Sequence, residues 1–492
     1  MAMHNWRADL GAGLSGARPV LAGADGTWSA DQLARRVSDI AQVLRSAFRP
    51  HAAVAILADN SPDWIAADLA AHDAGMTLVP LPSFFTPAQW QHVVGAAAAE
   101  GMFCMRPEHA ALLGFGQAVP CPGGLQLHAR PVAQATVPAG VQKITFTSGT
   151  TAQPKGVCLS SGQQWELAQV LRDQLAGLAI RRHLNLLPLS VLLENIAGVY
   201  TALLSDAVNI CLPLARTGLS GASGFDPVTC LDTIAAEQAE SVILLPQMLQ
   251  ALVAVTAAGD PRLGTLKFMA VGGAKTPPAL IAAARAKGFP VYEGYGLSEC
   301  GSVVALSVPG ADRAGSVGRP LPNRRVRIAP DGEIEVGGGT MAGYLGAPGP
   351  GDAWLGTGDL GHLDGDGYLY IDGRKSNVLV TAYGRNISPE WPEAALVGTG
   401  AVAQAMVVGD ARPFLAAAIV PLHAGITDAD IDAAVAAANR ELPDYARIRR
   451  WFRTRPFGVA DGTATANGRL RRDAAFARCR AQIDPIYQMD GE

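Results

Sequence analysis

Paired cysteines are missing from this 492-residue sequence: its seven cysteines, at positions 104, 121, 158, 211, 230, 300 and 479, are scattered and never form a Cys-x-x-Cys pair. An odd, dispersed set argues against a disulfide framework or a zinc site and reads as small buried hydrophobes. The nine histidines are equally dispersed, and none forms a helix pair with metal-ligand spacing. Charge of one sign is also lacking: the net charge is −4, which offers no global footprint for a nucleic acid. The first ten residues lack the basic-then-apolar pattern of a signal peptide, and no uncharged apolar run approaches the ~20 residues that span a bilayer. A soluble, cytoplasmic protein without a transmembrane segment is expected. There is no long polar tract and no internal repeat, and 49% apolar with 17% charged residues is a globular balance. At 492 residues the chain is too long for one compact core and predicts at least two domains.

The most informative stretch present is Thr147-Ser-Gly-Thr-Thr-Ala-Gln-Pro-Lys-Gly-Val157. Just before it, Lys143-Ile-Thr-Phe-Thr147 alternates β-formers in the manner of a buried strand. The chain therefore leaves a sheet into hydroxyls, two glycines and one lysine. Glycines let backbone amides converge on an anion, Ser148, Thr150 and Thr151 add hydroxyl donors, and Lys155 adds a cation. Such a loop suits the phosphates of a nucleotide. It is not a Walker A loop, because the lysine precedes the second glycine and no Gly-Lys-Ser/Thr follows.

The first third alternates helix and strand signals. Ser29-Ala-Asp-Gln32 is a capping box ahead of Leu33, Val37, Ile40, Ala41 and Leu44, which share one helical face. A strand over 53–58, a helix opened by Ser61-Pro62, a strand over 76–80 and a helix entered through Thr86-Pro87 follow. Strand–helix–strand alternation implies a parallel sheet with helices on its faces. The Pro/Gly-rich stretch 121–140 reads as a connection, and alternation resumes from Leu187 to about Leu306. From 314 to 372 the texture changes to short β segments and turns. Beyond Asp372, strands near 403–408 and 416–421 precede a helix capped at Thr427-Asp428. The expected fold is α/β: a large N-terminal domain, residues 1–372, of parallel-rich sheets with flanking helices plus a β-rich segment, then a small mobile α+β domain, residues 373–492.

The loop at 147–157 resembles the phosphate loop of the adenylate-forming superfamily of acyl-CoA synthetases, luciferases and nonribosomal-peptide adenylation domains, most closely its bacterial fatty-acyl or aryl acid ligases. Further segments are similar to that family in order. By this resemblance Thr147, Ser148, Gly149, Thr150, Thr151 and Lys155 hold phosphate, and Gly272-Gly273-Ala274 lies against adenine. In Tyr295-Gly-Leu-Ser-Glu299 the resemblance places the tyrosine on adenine beside Gly296, Ser298 on the α-phosphate and Glu299 on Mg²⁺. Trp354-Leu-Gly-Thr-Gly-Asp-Leu360 matches the segment whose aspartate, here Asp359, accepts from the ribose hydroxyls, and a carboxylate with two acceptor oxygens suits a vicinal diol. Asp372-Gly-Arg374 resembles the domain junction, with Arg374 reaching ribose or phosphate and Ser376 at a hinge site usually Asp or Lys. Gly315 to Pro322 resembles a scaffold segment. Gly384-Arg-Asn-Ile-Ser-Pro389 resembles the loop past which the thiol arm threads.

Thr463 to Arg472 matches the catalytic-lysine segment, with Arg469 at the lysine position. The family's lysine touches both carboxylate and α-phosphate; arginine keeps the cation but is longer and planar. The resemblance further implies an apolar acid pocket formed by Val191, where histidine is usual, with Leu192, Gly273 and Val303. Arg447, Arg449, Arg450, Arg453 and Arg455, with Arg469, Arg471 and Arg472, make the last fifth locally basic; a solvated face and a surface for a polyanion, the phosphates of CoA or an acyl-carrier protein, both stay open. The resemblance implies an ATP- and Mg²⁺-dependent acid–thiol ligase of fatty-acid metabolism. It would activate a hydrophobic carboxylic acid as an acyl-adenylate and pass it to CoA or phosphopantetheine, with Glu299, Arg469 and Lys155 as catalytic groups. The alternative is a non-catalytic or adenylation-impaired nucleotide- or acyl-binding homologue, which Arg469, Ser376 and Val191 together keep open.

Overall fold

The computed structural model describes residues 15–132, 137–147, 154–221, 224–349, 351, 353–382, 385–465 and 468–488. The Ser29 capping box forms: Gln32 N–H donates to Ser29 Oγ, and Ser29 N–H donates to Gln32 Oε1 at 2.7 Å. The helix it opens, Ala30–Ala47, buries Leu33, Val37, Ile40, Ala41 and Leu44 on one face, as their spacing predicts. Ser61 and Thr86 cap the helices Pro62–Ala74 and Pro87–Ala96, each with proline at its first position.

Two large sheets carry the N-terminal part. In one, Val141–Thr147, Thr77–Pro80, Ala53–Leu57 and Gly101–Cys104 run parallel, and Lys155–Ser160 returns antiparallel against Val141–Thr147. In the other, Val291–Tyr295, Phe268–Val271, Ser241–Leu244, Arg182–Leu184 and Val208–Ile210 lie side by side and parallel. The alternation of elements therefore produces the parallel sheets it implies. One stretch differs from its reading: residues 121–140 are more than a connection, because Gln126–Ala129 pairs antiparallel with Gly101–Cys104 and buries Leu127 opposite Phe103. Four residues with a single strong hydrophobe give too short a pattern to read as a strand without the edge that accepts it.

Between the sheets lies a buried polar cluster. Lys143 Nζ sits 2.9 Å from Asp68 Oδ1 and 3.0 Å from the Tyr200 hydroxyl, and it also meets Asn195; Tyr200 stacks on Trp165 at 4.4 Å. Burial alone would push the Asp68 carboxyl up, but Lys143, His72 and Asn195 hold it below its usual range. Asn195 and Tyr200 belong to a π-helix, Glu194–Tyr200, so the cluster ties that uncommon turn to the strand Val141–Thr147 and the helix Pro62–Ala74. Its first residue is anchored as well: Glu194 Oε1 meets His183 Nε2 at 3.0 Å, and Glu194 Oε2 accepts from Leu187 N–H at 3.0 Å.

After these sheets come the antiparallel strands Arg325–Ile328, Glu333–Gly337, Leu355–Leu363 and Leu369–Arg374, the β-rich segment expected over 314–372. The C-terminal unit is α+β: Val402–Val408, Leu415–Pro421 and Ile448–Arg453 form a sheet with the helices Glu390–Gly398, Asp428–Glu441 and Arg472–Gln488. It meets the larger part through Gln250, whose side-chain amide donates to the Val402 carbonyl at 3.0 Å, and through Gln247, which donates to the Gly468 carbonyl at 3.3 Å. Among the described residues no helix is long and apolar enough to cross a membrane.

Candidate active site

Strands of both sheets end at one cleft. Thr147 closes Val141–Thr147 and pairs directly with Lys155, the first residue of the returning strand. Ser148, Gly149, Thr150 and Thr151, and Gly384 of the later loop, lie outside the described residues. Lys155 is exposed, with Nζ 5.7 Å from the centroid of the Tyr344 ring. Gly272-Gly273-Ala274 turns out of Phe268–Val271 as its pattern predicts. Gly273 has φ +86°, a backbone state that disfavours any side chain. A Cβ on Gly296 would run into the backbone of Ser302, so the turn after Tyr295 requires a glycine.

Tyr295 and Asp359 come from different sheets and meet. The phenol donates to Asp359 Oδ2 at 2.7 Å, while Arg374 Nη1 lies 3.0 Å from Asp359 Oδ1. Burial and then the Asp359 charge push the Tyr295 hydroxyl well above its usual range, so it stays a donor. Asp359 N–H donates to Thr357 Oγ1 at 3.1 Å, and Arg374 Nη1 donates to the Thr357 carbonyl at 2.7 Å, which ties the Asp359 backbone and the Arg374 side chain to Thr357. Asp359 sits within the strand Leu355–Leu363, mostly covered, rather than in a solvated turn. Each carboxylate oxygen has a second lone pair, leaving two acceptor sites for a diol.

Glu299 follows Tyr295 after a tight bend, in the short 3₁₀ turn Ser298–Cys300. Its Oε1 accepts from the Tyr344 hydroxyl at 2.8 Å. Among the described residues no three His, Cys, Asp or Glu side chains converge to hold a metal ion. Glu299 could serve as one oxygen ligand of a Mg²⁺ whose remaining ligands are phosphates and water, the usual protein share for that ion.

Arg469 reaches this cleft from the C-terminal unit. Its Nε donates to the Gly273 carbonyl at 2.7 Å, and Thr465 Oγ1 accepts from its own N–H at 3.1 Å. Although its surface faces the open cleft, protein surrounds it: burial draws the guanidinium below its usual pKa while Asp359, Tyr295 and Glu299 pull the other way. An arginine so placed keeps its charge throughout the working pH range. Arg472, read as part of a basic run, proves to be an internal ion pair, with Nη2 2.6 Å from Glu393 Oε2. Arg447 and Arg453 are likewise engaged, by Asp444 and Asp428.

The sequence-derived residues within the described part converge on one cavity of about 1720 Å³: Thr147, Lys155, Gly272, Gly273, Ala274, Tyr295, Gly296, Ser298, Glu299, Asp359, Arg374 and Arg469 line it, and so do the acid-pocket residues Val191, Leu192 and Val303. Pro188 to Val191 form a tight turn, with Val191 N–H donating to the Pro188 carbonyl at 2.8 Å, and the helical continuation is the π-helix already described. Sequence reasoning missed Tyr344, which touches both Glu299 and Lys155, because nothing marks a tyrosine in a Gly/Pro-rich run. It missed Lys275 too, whose Nζ donates to the Ile371 carbonyl at 2.9 Å; its place directly after Gly-Gly-Ala was the available signal.

Residues 12–351 match the family described as AMP-binding enzyme, and residues 376–491 match the AMP-binding enzyme C-terminal domain. Long-chain-fatty-acid–CoA ligase FadD15 of Mycobacterium tuberculosis is 34% identical over 258 residues, 46% of this chain and 43% of that protein. The chain thus matches less than half the length of that ligase. Feruloyl-CoA synthase of a Streptomyces species is 30% identical over 411 residues, 78% of this chain and 80% of the synthase. Among solved structures, the anthranilate CoA ligase AuaEII in complex with anthranoyl-AMP superposes with a TM-score of 0.83 at 18% identity, covering 98% of each chain, a likeness of fold.

Proposed function

The chain belongs to the AMP-binding enzyme family, and from that premise we propose that it is an ATP-dependent acid–thiol ligase acting on a hydrophobic carboxylic acid. A carboxylate oxygen attacks the α-phosphorus of ATP, the bond to the β-phosphate oxygen breaks, and pyrophosphate leaves an acyl-adenylate. A thiol sulfur then attacks the acyl carbon, loses its proton, and releases AMP as the thioester forms. The thiol is that of CoA or of the phosphopantetheine on a carrier protein.

The observation that carries this reading is the convergence, in one cleft, of Tyr295, Asp359 and Arg374 with Arg469 from the C-terminal unit. In the proposed roles, Tyr295 packs on the adenine beside Gly272, Gly273 and Ala274, and Asp359 and Arg374 hold the ribose. Thr147, Lys155 and Ser298 line the phosphate path, together with Ser148 to Thr151. Glu299 contributes an oxygen to Mg²⁺, which offsets phosphate charge. Arg469 bridges the carboxylate and the α-phosphate as negative charge shifts between them. Residues 1–372 form the large unit and residues 373–492 a small mobile one. Rotation of the small unit exchanges the Arg469 loop for the Gly384 loop between the two half-reactions. A reduced thiol acceptor, ATP and seven unpaired cysteines fit a cytoplasmic setting and a place in fatty-acid metabolism.

The test is mass spectrometry of products after incubation with ATP, Mg²⁺, a panel of acids, and either CoA or a holo carrier protein. Acyl-adenylate and a thioester with release of AMP are expected. No adenylate from any acid would overturn the reading in favour of a non-catalytic homologue.

A further inference from the structure

The run Pro322-Asn-Arg-Arg-Val-Arg-Ile328 carries three arginines, and one of them differs from the others. Arg325 and Arg327 are exposed and lie over the Trp354 ring, 5.2 and 4.4 Å from its centroid. Arg324, just before the strand Arg325–Ile328, is only 5% exposed. Its guanidinium meets carbonyls rather than a carboxylate: Nη2 donates to Cys300 at 3.0 Å and Nη1 to Gly338 at 3.3 Å, while among the described residues Nε has no partner. A buried charge held only by neutral acceptors is costly, and an apolar side chain of similar volume would pack there as well or better. A cation retained on those terms calls for a role beyond packing.

Both carbonyls belong to segments that converge on Glu299. Cys300 is the next residue, in the 3₁₀ turn Ser298–Cys300. Gly338 follows the strand Glu333–Gly337 and begins the turn toward Met341 and Tyr344. Met341 N–H donates to the Glu299 carbonyl at 2.6 Å, and the Tyr344 hydroxyl donates to Glu299 Oε1 at 2.8 Å. This second segment is shaped around the arginine: Gly339 has φ +58°, a Cβ there would run into the Arg324 guanidinium, and the Gly339 carbonyl accepts from Gln163 Nε2 at 2.7 Å. The planar fork thus grips two chain segments by their backbones. One sets where the Glu299 backbone lies, and the other brings the hydroxyl that orients its carboxylate.

Resting on the reading of Glu299 as a Mg²⁺ ligand, we propose that Arg324 is the positioning residue for that carboxylate, clamping the Glu299 turn to the segment that carries Tyr344. Arg324 does not itself line the cavity, so it acts through these two residues. Mg²⁺ demands near-ideal octahedral geometry and gives up water reluctantly, so a carboxylate free to shift binds it poorly. Groups that orient a metal ligand from behind are commonly worth about 10- to 100-fold in metal affinity.

Calorimetric binding of ATP to the full chain, with excess Mg²⁺ and with a chelator, separates the metal-dependent part of the affinity from the rest. Arg324→Met should cut the Mg²⁺-dependent gain in ATP affinity about tenfold and leave the affinity in chelator unchanged. Arg324→Lys keeps the cation without the fork, should fall between, and carries the comparison if Arg324→Met does not fold. Glu299→Gln/Arg324→Met should bind no more weakly than Glu299→Gln alone, because the arginine acts through that carboxylate. A Mg²⁺ dependence that neither Arg324 substitution moves, or losses that simply add in the double variant, overturns the proposal even where the melting temperature falls, since an arginine that only supports the fold would lower that too. If Mg²⁺ adds nothing to the ATP affinity of the unsubstituted protein, the metal role of Glu299 and the proposal fall together. The expected pattern of binding without pyrophosphate exchange from any acid would retain the role of Arg324 and overturn the ligase instead.

Discussion

Arg469 Nε donates to the carbonyl of Gly273 at 2.7 Å, across 196 positions of sequence, and so joins the C-terminal unit to the turn proposed to hold the adenine. If the guanidinium carries the bridging role, Arg469→Ala should slow pyrophosphate exchange by about 10²–10³ while thioester formation from a pre-formed acyl-adenylate survives. Arg469→Lys keeps the cation and should retain part of the rate. A silent Arg469→Ala, with faster exchange in Arg469→Lys, would mark the arginine as idle.

Asp359 is held by Tyr295 and Arg374 with acceptor capacity to spare. Asp359→Ala should weaken nucleotide binding about 10- to 100-fold, the loss of hydrogen bonds to a charged acceptor. Tyr295→Phe, which removes only the clamp on Asp359, should cost less. Equilibrium binding of ATP to the three proteins decides, and unchanged affinity in Asp359→Ala would remove the residue from the site.

The Lys143–Asp68 pair is fully buried. Lys143→Met leaves the Asp68 charge uncompensated and should destabilise the protein by about 3–5 kcal/mol. The double variant Lys143→Met/Asp68→Leu should recover much of that loss. Thermal melts of the three proteins give the comparison, and equal melting temperatures in wild type and Lys143→Met would show the pair to be inert.

Glu293, on the cleft strand Val291–Tyr295, accepts from Thr276 N–H at 3.2 Å; burial pushes its carboxyl up to about 7 against that hydrogen bond and the nearby Lys275 charge. The folded state therefore binds a proton that the unfolded chain has already released. That contribution is complete below the ordinary glutamate pKa and is lost as pH rises toward about 7. Stability should fall across this window by on the order of 1–3 kcal/mol, and Glu293→Gln should flatten the fall. Melting temperature against pH for both proteins measures it, and identical profiles would count against a buried, protonated Glu293.

Local signals in the sequence were sufficient for the elements that depend on neighbours in the chain. Ser29 with Gln32, Ser61 before Pro62, and Thr427 before Asp428 cap helices through bonds spanning three residues, so the residues alone determine where those helices start. The same holds for the turns at Gly272-Gly273 and after Tyr295, where the backbone tolerates only glycine. The strand Gln126–Ala129 was not legible, because its existence depends on an edge more than twenty residues away in the chain. Tertiary structure alone decided that Tyr344 reaches Glu299, that Arg472 turns inward to Glu393, and that Asp359 meets Tyr295 from another sheet. Propensity and capping are energies of adjacent residues, whereas a cavity or a buried ion pair is a relation between segments that meet only when the sheets pack.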